Sequence, residues 1–257
     1  MSEQPANPTI ETKPAGASAA KAWMRALELT AKIDAAPTRT FPVVIEDLAE
    51  RFADDAALLS DDESFTYRQL AERARRYARW ALAQGLKPGE VVALMMPNRP
   101  EYMAVWLGLG RVGVVTALLN THLTGAALAH AITVAAPRSL IVEASLAGAA
   151  AEALAQLEAP PTVWSHGDAS THDPRIDLVV DGLSADPLTA EERLPVVLAD
   201  RALLIYTSGT TGLPKAAHVS HYRVMSAQNR PAENRSRSTT EPPAARMEPV
   251  ATTPPTL

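Results

Sequence analysis

The segment with the most chemistry in this 257-residue chain is Tyr206-Thr-Ser-Gly-Thr-Thr-Gly-Leu-Pro-Lys215. Its glycines let the backbone approach a polyanion closely and turn N–H groups toward it. Its hydroxyl groups add further donors, and Lys215 supplies a mobile positive charge for a phosphate. The segment therefore predicts a loop that binds phosphate groups. The candidate binding residues are Thr207, Ser208, Gly209, Thr210, Thr211, Gly212 and Lys215.

This segment is not a Walker A loop, which requires glycine directly before the lysine and serine or threonine directly after it. Pro214 and Ala216 occupy those two positions. A run rich in hydroxyls and glycine can also be a plain connection between two elements. The phosphate-binding interpretation is favoured because ten residues stand in this order directly after an apolar run, residues 201–206, that is typical of a buried strand.

The elements that must position this loop follow from an alternation of apolar runs and helical patterns. Thr66 and Gln69 form a capping-box pattern, after which apolar residues recur at helical spacing until Gly85. Further helices are predicted from residue 98 and over residues 124–136 and 144–158. Apolar runs of strand length occupy residues 91–96, 114–119, 139–142, 162–164 and 201–206. This alternation predicts the α/β class, with a layered, mostly parallel sheet and flanking helices.

The composition is typical of a globular protein and limits the kinds of site that the chain can hold. Apolar residues make up 47% of the chain and charged residues 21%. The net charge of −5 gives no reason to expect nucleic acid as a partner. The absence of cysteine excludes disulfides, cysteine nucleophiles and thiolate metal sites, and it fits a cytoplasmic location. The histidines lack the spacing of a metal site, so no metal ligands are predicted.

Two features of the sequence bear on whether the chain spans or contacts a membrane. Residues 102–119 are apolar, but Arg111 lies in the middle of the run and the length barely reaches the ~20 residues of a spanning helix. A buried helix, a glycine turn and a buried strand are the favoured interpretation. Four arginines on the helix after Thr66 predict a solvated face, with a peripheral membrane-surface patch as the alternative. These are Arg73, Arg75, Arg76 and Arg79.

The string YTSGTTGLPK resembles the phosphate-binding signature of the acyl-adenylate-forming, or AMP-binding, superfamily, which includes acyl-CoA synthetases, luciferases and peptide-synthetase adenylation domains. Downstream, His221 stands where this family has a Ser/Thr-His pair, with a substrate-side and a structural role both open. Upstream, Phe65-Thr-Tyr-Arg-Gln-Leu70 and Gly85-Leu-Lys-Pro-Gly-Glu90 also follow the family pattern. Residues 118–125 and 128–130 are similar to the fatty-acid-transport-protein type of very-long-chain acyl-CoA synthetase.

The resemblance implies a two-step ligase that acts on small molecules. A fatty acid carboxylate attacks the α-phosphate of ATP, pyrophosphate leaves, and the thiol of coenzyme A then displaces AMP from the acyl-adenylate. The predicted loop residues would hold the β- and γ-phosphates, with Mg²⁺ sharing the neutralisation of their charge. None of them is a nucleophile, so no catalytic residue is predicted in this chain.

The chain departs from the family pattern beyond residue 223. The family's adenine, ribose and metal motifs and its C-terminal catalytic lysine have no match there. Residues 1–40 are predicted to be a flexible lead-in and residues 41–225 a partial N-terminal AMP-binding domain. Residues 226–257 read as a disordered Pro/Arg-rich tail, which is either natural or translated in a shifted frame. The expectation is an acyl-CoA synthetase fragment that is inactive alone. A ligase for another carboxylic acid and a non-catalytic nucleotide-binding remnant stay open.

Overall fold

The structure describes most of the chain between residues 31 and 227. In this computed structural model the described residues are 31–169, 172–208 and 214–227, with Met24 and Glu28. The helices are α1 Phe41–Phe52, α2 Tyr67–Ala83, α3 Pro100–Arg111, α4 Gly125–Ala135, α5 Ala147–Leu154, α6 Ile176–Asp181 and α7 His221–Ala227. The strands are β1 Ala56–Leu59, β2 Ser64–Thr66, β3 Val91–Met95, β4 Val115–Leu118, β5 Ser139–Glu143, β6 Thr162–His166, β7 Arg201–Ser208 and β8 Pro214–Ser220.

The main sheet has the strand order β6-β5-β3-β4-β7-β8. Its first five strands run parallel to one another, and β8 pairs antiparallel with β7. Strands β1 and β2 form a separate antiparallel pair. The predicted α/β class, with a layered, mostly parallel sheet and flanking helices, is confirmed.

Helices cover both faces of this sheet, which explains why β3 is apolar at every position. Val92 and Leu94 pack in a core with α1, α2, α3 and α6. Ala93 and Met95 point to the opposite face and pack against α4 and α5. All four side chains are fully buried, and a strand buried on both faces reads as a continuous apolar run.

Helix α2 begins at the predicted cap and packs closely on α3. The Thr66 hydroxyl accepts from the Gln69 N–H at 3.2 Å, and the Gln69 side chain accepts from the Thr66 N–H at 2.9 Å. The capping box is therefore confirmed. On α3, a Cβ added to Gly108 would lie 2.4 Å from the carbonyl oxygen of Ala74 and 2.5 Å from Cβ of Tyr77. Only glycine allows the two helices to approach this closely.

The apolar run over residues 102–119 folds as the sequence predicts. It forms most of α3, a turn at Gly113 with a φ of 76°, and then β4. Within the described ranges, no helix combines the length and the apolarity that a membrane span needs.

The segment 168–195 is polar and contains several prolines, a composition typical of a surface excursion, but part of it is buried. The segment contains α6, and Ile176, Val180 and Leu188 are buried in the same core as Trp164. Polar residues separate these apolar positions. The overall composition of the segment therefore conceals the apolar spacing of a short helix.

The arginines of α2 bind this segment instead of facing solvent, which corrects the predicted solvated face. Arg79 has only 12% of its side chain exposed. It donates to Glu192 at 2.9 Å and to the carbonyl oxygens of Ser184 and Asp186 at 2.7 and 2.8 Å. Arg75 binds Glu46 of α1 and the carbonyl oxygen of residue 185. Engaged in this way, these side chains are not available as a membrane-surface patch.

The predicted lead-in and tail lie largely outside the described residues. In the described part of the lead-in, residues 31–34 are helical, and Ile33 is buried beside Leu198 and Met225 of α7. Residues 228–257 lie outside the described ranges. The boundaries 1–40, 41–225 and 226–257 stay predictions.

Candidate functional site

The predicted phosphate loop lies at the tip of the β7–β8 hairpin. Tyr206 pairs with Ala216, Thr207 with Lys215, and Ser208 with Pro214. The two strands are therefore in register up to the ends of the loop, and residues 209–213 join them. Of the predicted binding residues, Gly209, Thr210, Thr211 and Gly212 lie outside the described residues, as does the side chain of Ser208.

Thr207 and Lys215 are brought together at the base of the loop. They are direct cross-strand partners, so their side chains point to the same face of the hairpin. Both residues are exposed. The Thr207 hydroxyl lies 3.5 Å from the carbonyl oxygen of Lys215 and donates toward it. A hydroxyl donor and a cation thus flank the entrance to a loop whose sequence is rich in glycine and threonine.

The end of the hairpin extends beyond the parallel sheet. Strand β4 pairs with β7 at three positions, and the last of them joins Leu118 to Ile205. From Tyr206 onward, β7 pairs with β8 alone. We call residues 206–208 and 214–216 the overhang. Because its strands lack a parallel neighbour, its position relative to the sheet depends on side-chain contacts.

One side chain of the overhang bonds to the body of the fold. The Tyr206 hydroxyl donates to the carbonyl oxygen of Ala131 in α4 at 2.8 Å, and its ring packs with the core on the α4 face. Burial raises the pKa of Tyr206 to about 12. The sequence motif identified Tyr206 only as a strand residue and did not predict this bond. A tyrosine in a half-buried strand position was the available signal, since a buried hydroxyl usually has a partner.

His221 has a structural position. It begins α7, only 1% of it is exposed, and a Cβ added to Gly110 near the end of α3 would lie 3.4 Å from its ring. Its Nε2 has no hydrogen-bond partner among the described residues. Burial lowers the pKa of His221 to about 4, against a smaller opposing effect of Asp200. A neutral imidazole packed between helices supports the structural alternative for this histidine.

A second polar cluster surrounds Glu101 at the start of α3. It includes a residue of β6, the strand at the sheet edge opposite the hairpin. Glu101 is 2% exposed and accepts from Arg73 at 2.7 Å and from the Tyr77 hydroxyl. His166, at the end of β6, lies 3.4 Å away. Burial alone would raise the pKa of Glu101, but the His166 ring and the charge of Arg73 hold it below its ordinary value. The cluster joins α2, α3 and β6 and is far along the sheet from the hairpin.

No metal cluster accompanies this second cluster among the described residues. Within the described ranges, no group of three or more His, Asp or Glu side chains could hold a metal ion. A groove of about 670 Å³ lies between α1, the β1–β2 pair, α2 and α3. It is lined mainly by apolar side chains, among them Phe41, Ile45, Leu58 and Leu107. Among the described residues, Thr207 and Lys215 at the base of the loop stay the candidates for binding a phosphate ligand.

Comparison with known proteins identifies the family and several relatives of this chain. Residues 45–246 match the family model described as AMP-binding enzyme. Long-chain fatty acid transport protein 2 of Rattus norvegicus is 36% identical over 193 residues, which cover 73% of this chain and 31% of that protein. Medium/long-chain-fatty-acid–CoA ligase FadD6 of Mycobacterium tuberculosis is 33% identical over 184 residues, which cover 72% of this chain and 30% of that protein. The chain spans about a third of the length of the curated relatives that it matches.

Solved structures with a similar fold include CoA ligases. A benzoate CoA ligase from Burkholderia xenovorans LB400 superposes with a TM-score of 0.61 and 26% identity, over 71% of this chain and 34% of that one. The anthranilate CoA ligase AuaEII gives a TM-score of 0.66 over 71% of this chain and 35% of that one. Its 21% identity shows a likeness of fold alone. The predicted resemblance is thereby confirmed: the chain belongs to the AMP-binding enzyme family, with fatty acid transport proteins and fatty acyl-CoA ligases among its relatives.

Proposed function

We propose that the β7–β8 hairpin binds the β- and γ-phosphates of ATP during activation of a long-chain fatty acid to its CoA thioester. The observation that carries this proposal is the pairing of Thr207 with Lys215 at the base of the glycine- and threonine-rich loop. Lys215 would bind a phosphate by charge, and the loop N–H groups and hydroxyls would donate to its oxygens. The full set of proposed binding residues is Thr207, Ser208, Gly209, Thr210, Thr211, Gly212 and Lys215.

The chemistry of this reaction needs positioning more than a protein nucleophile. The substrate carboxylate attacks the α-phosphate of ATP, the bond to the β-phosphate breaks, and pyrophosphate leaves with the electron pair. The thiol of coenzyme A then displaces AMP. Lys215 would stabilise the charge that grows on pyrophosphate in the first step. Mg²⁺ would share with Lys215 the neutralisation of the phosphate charge.

The choice of a fatty acid is supported by the relatives. A long-chain fatty acid transport protein and a medium/long-chain fatty acid–CoA ligase match over more than seventy per cent of this chain. The benzoate CoA ligase is the ground for a second candidate, a ligase for another carboxylic acid. A panel of palmitate, octanoate and benzoate, assayed with a relative that carries the complete set of family motifs, would discriminate between the two.

We also propose that the 257-residue chain does not synthesise acyl-CoA by itself. The adenine, ribose and C-terminal lysine motifs implied by the resemblance have no match in it. The expected behaviour is that of a nucleotide-binding remnant, which binds phosphates without turnover. Release of pyrophosphate by the purified chain in the presence of palmitate, ATP, Mg²⁺ and coenzyme A would contradict this proposal.

Replacement of Lys215 by alanine tests the phosphate site. Lys215→Ala should weaken binding of pyrophosphate by the 257-residue chain about tenfold or more, because a charge-assisted contact is lost. Isothermal titration calorimetry with pyrophosphate measures this directly. Lys87→Ala removes another exposed lysine, in the turn before β3, and should leave the affinity unchanged. Equal binding by wild type and Lys215→Ala would overturn the proposed site.

A further inference from the structure

The overhang raises the question of what fixes the phosphate loop relative to the sheet. Strand β7 loses its parallel neighbour after Ile205, and only residues 206–208 separate that point from the loop. Two strands paired only to each other are marginally stable when they have no packing partner. Contacts between the overhang and the rest of the fold therefore fix the strand ends, Ser208 and Pro214, between which the loop runs.

We infer that Tyr206 is a positioning residue for the phosphate loop, acting through the hydrogen bond from its hydroxyl to the carbonyl oxygen of Ala131. This inference rests on the proposed function. In the described part of the chain, this is the side-chain hydrogen bond that joins the overhang to another element. Tyr206 is the first residue of the overhang, so its bond acts at the point where the hairpin leaves the sheet.

The acceptor lies in a rigid part of the molecule. Ala131 is fully buried, and its neighbours Leu128 and Ile132 pack with β3 and β5 in the core on that face. A carbonyl oxygen has two lone pairs, so this one can accept the tyrosine bond in addition to a helical bond. The position of α4 is thereby transmitted to the hairpin through this bond, alongside the packing of β8 on the same helix.

The Tyr206 bond and the proposed phosphate contacts lie on opposite faces of the hairpin. Tyr206 points to the face covered by α4, together with Leu204. Thr207 is the next residue along the strand, and it points to the opposite face with its partner Lys215. The anchor therefore does not compete with a phosphate for space. Since the pKa of Tyr206 is raised to about 12, its hydroxyl stays protonated and remains a donor at neutral pH.

Replacement of Tyr206 by phenylalanine tests the inference, because it removes the hydroxyl and keeps the ring packing. In the 257-residue chain, Tyr206→Phe should weaken pyrophosphate binding about fivefold, as expected for one lost hydrogen bond. Amide exchange should accelerate at Thr207, Lys215 and Ala216, with rates in β3 unchanged. Tyr102→Phe is the matched control. Its pKa is also raised to about 12 by burial, and its hydroxyl has no hydrogen bond within the described residues.

The outcomes separate this inference from the proposed function. If wild type does not bind pyrophosphate, the proposed function fails, and the exchange rates of unliganded Tyr206→Phe still decide whether the anchor holds the overhang. If wild type binds and Tyr206→Phe binds equally well, the positioning role is overturned and the phosphate site stands. Faster exchange throughout the sheet in Tyr206→Phe would show a merely structural role and would also overturn the inference.

Discussion

At the scale of single residues, the buried ring of His221 makes the fold sensitive to acid. Burial lowers the pKa of His221 from 6.5 to about 4. Between these values the unfolded chain binds a proton that the folded chain does not, so the free energy of unfolding falls as the pH falls from 6.5 to 4. The shift corresponds to about 3 kcal/mol of stability, present above pH 6.5 and lost by pH 4.

Urea unfolding measured between pH 4 and pH 7 checks this prediction. His221→Gln, which cannot titrate, should have a flatter stability profile than wild type over this range. His218→Gln is the control, because His218 is exposed on β8 and should leave the profile unchanged. A His221→Gln profile as steep as that of wild type would show that other groups cause the acid sensitivity, for example the carboxylate of Glu101.

At this scale the sequence was informative where a motif gathers residues in one short run. Thr207 and Lys215 were predicted as binding residues and lie together at the base of one loop. The bond of Tyr206 could not be predicted, because its acceptor is a main-chain oxygen 75 residues away. The same holds for His221, whose neighbour Gly110 lies on a helix far back in the chain. Sequence patterns give side-chain types but not distant partners.

At the scale of helices and strands, the contact between α2 and α3 depends on one glycine. Gly108→Ala would place a methyl group 2.4 Å from the Ala74 carbonyl oxygen. The helices must then move apart, and the expected loss is about 3 kcal/mol of unfolding free energy, as for other overpacked sites. Thermal and urea unfolding measure this loss.

The control for this change is Gly148→Ala in α5. An added Cβ there meets nothing within 4 Å. Because alanine favours helix over glycine, Gly148→Ala should stabilise the protein by about 0.5 to 1 kcal/mol. If both variants were equally stable, the close approach of α2 to α3 would not be a constraint on the fold.

The elements themselves were largely predictable, because their signals are local. Capping by Thr66 and the apolar run of β3 were both apparent in short windows, and the structure contains both. The arginines of α2 were misjudged, since charged residues on a helix usually face solvent. Arg79 instead binds carbonyl oxygens more than a hundred residues further along the chain. Helix α6 was also missed, because its contacts with α2 and β6 hold it in place.

At the scale of the whole molecule, the strand order determines when the sheet can be completed. Strands β3, β4, β5 and β6 follow one another closely in the chain and pair with each other. Strand β7 lies beside β4, although β4 ends at Leu118 and β7 begins at Arg201. Closing so long a loop costs more entropy than pairing nearby strands, so it delays folding.

The β7–β8 hairpin should therefore be the last part of the sheet to fold. During refolding, pulse-labelled amide exchange should show protection at Leu94 and Ile141 before protection at Leu203. Simultaneous protection at all three positions would contradict this order. During synthesis, the four-stranded part can form as soon as His166 has emerged, and the hairpin then adds to a sheet that already exists. The hairpin that we propose to bind the phosphates of ATP would thus be added to a sheet that has already formed.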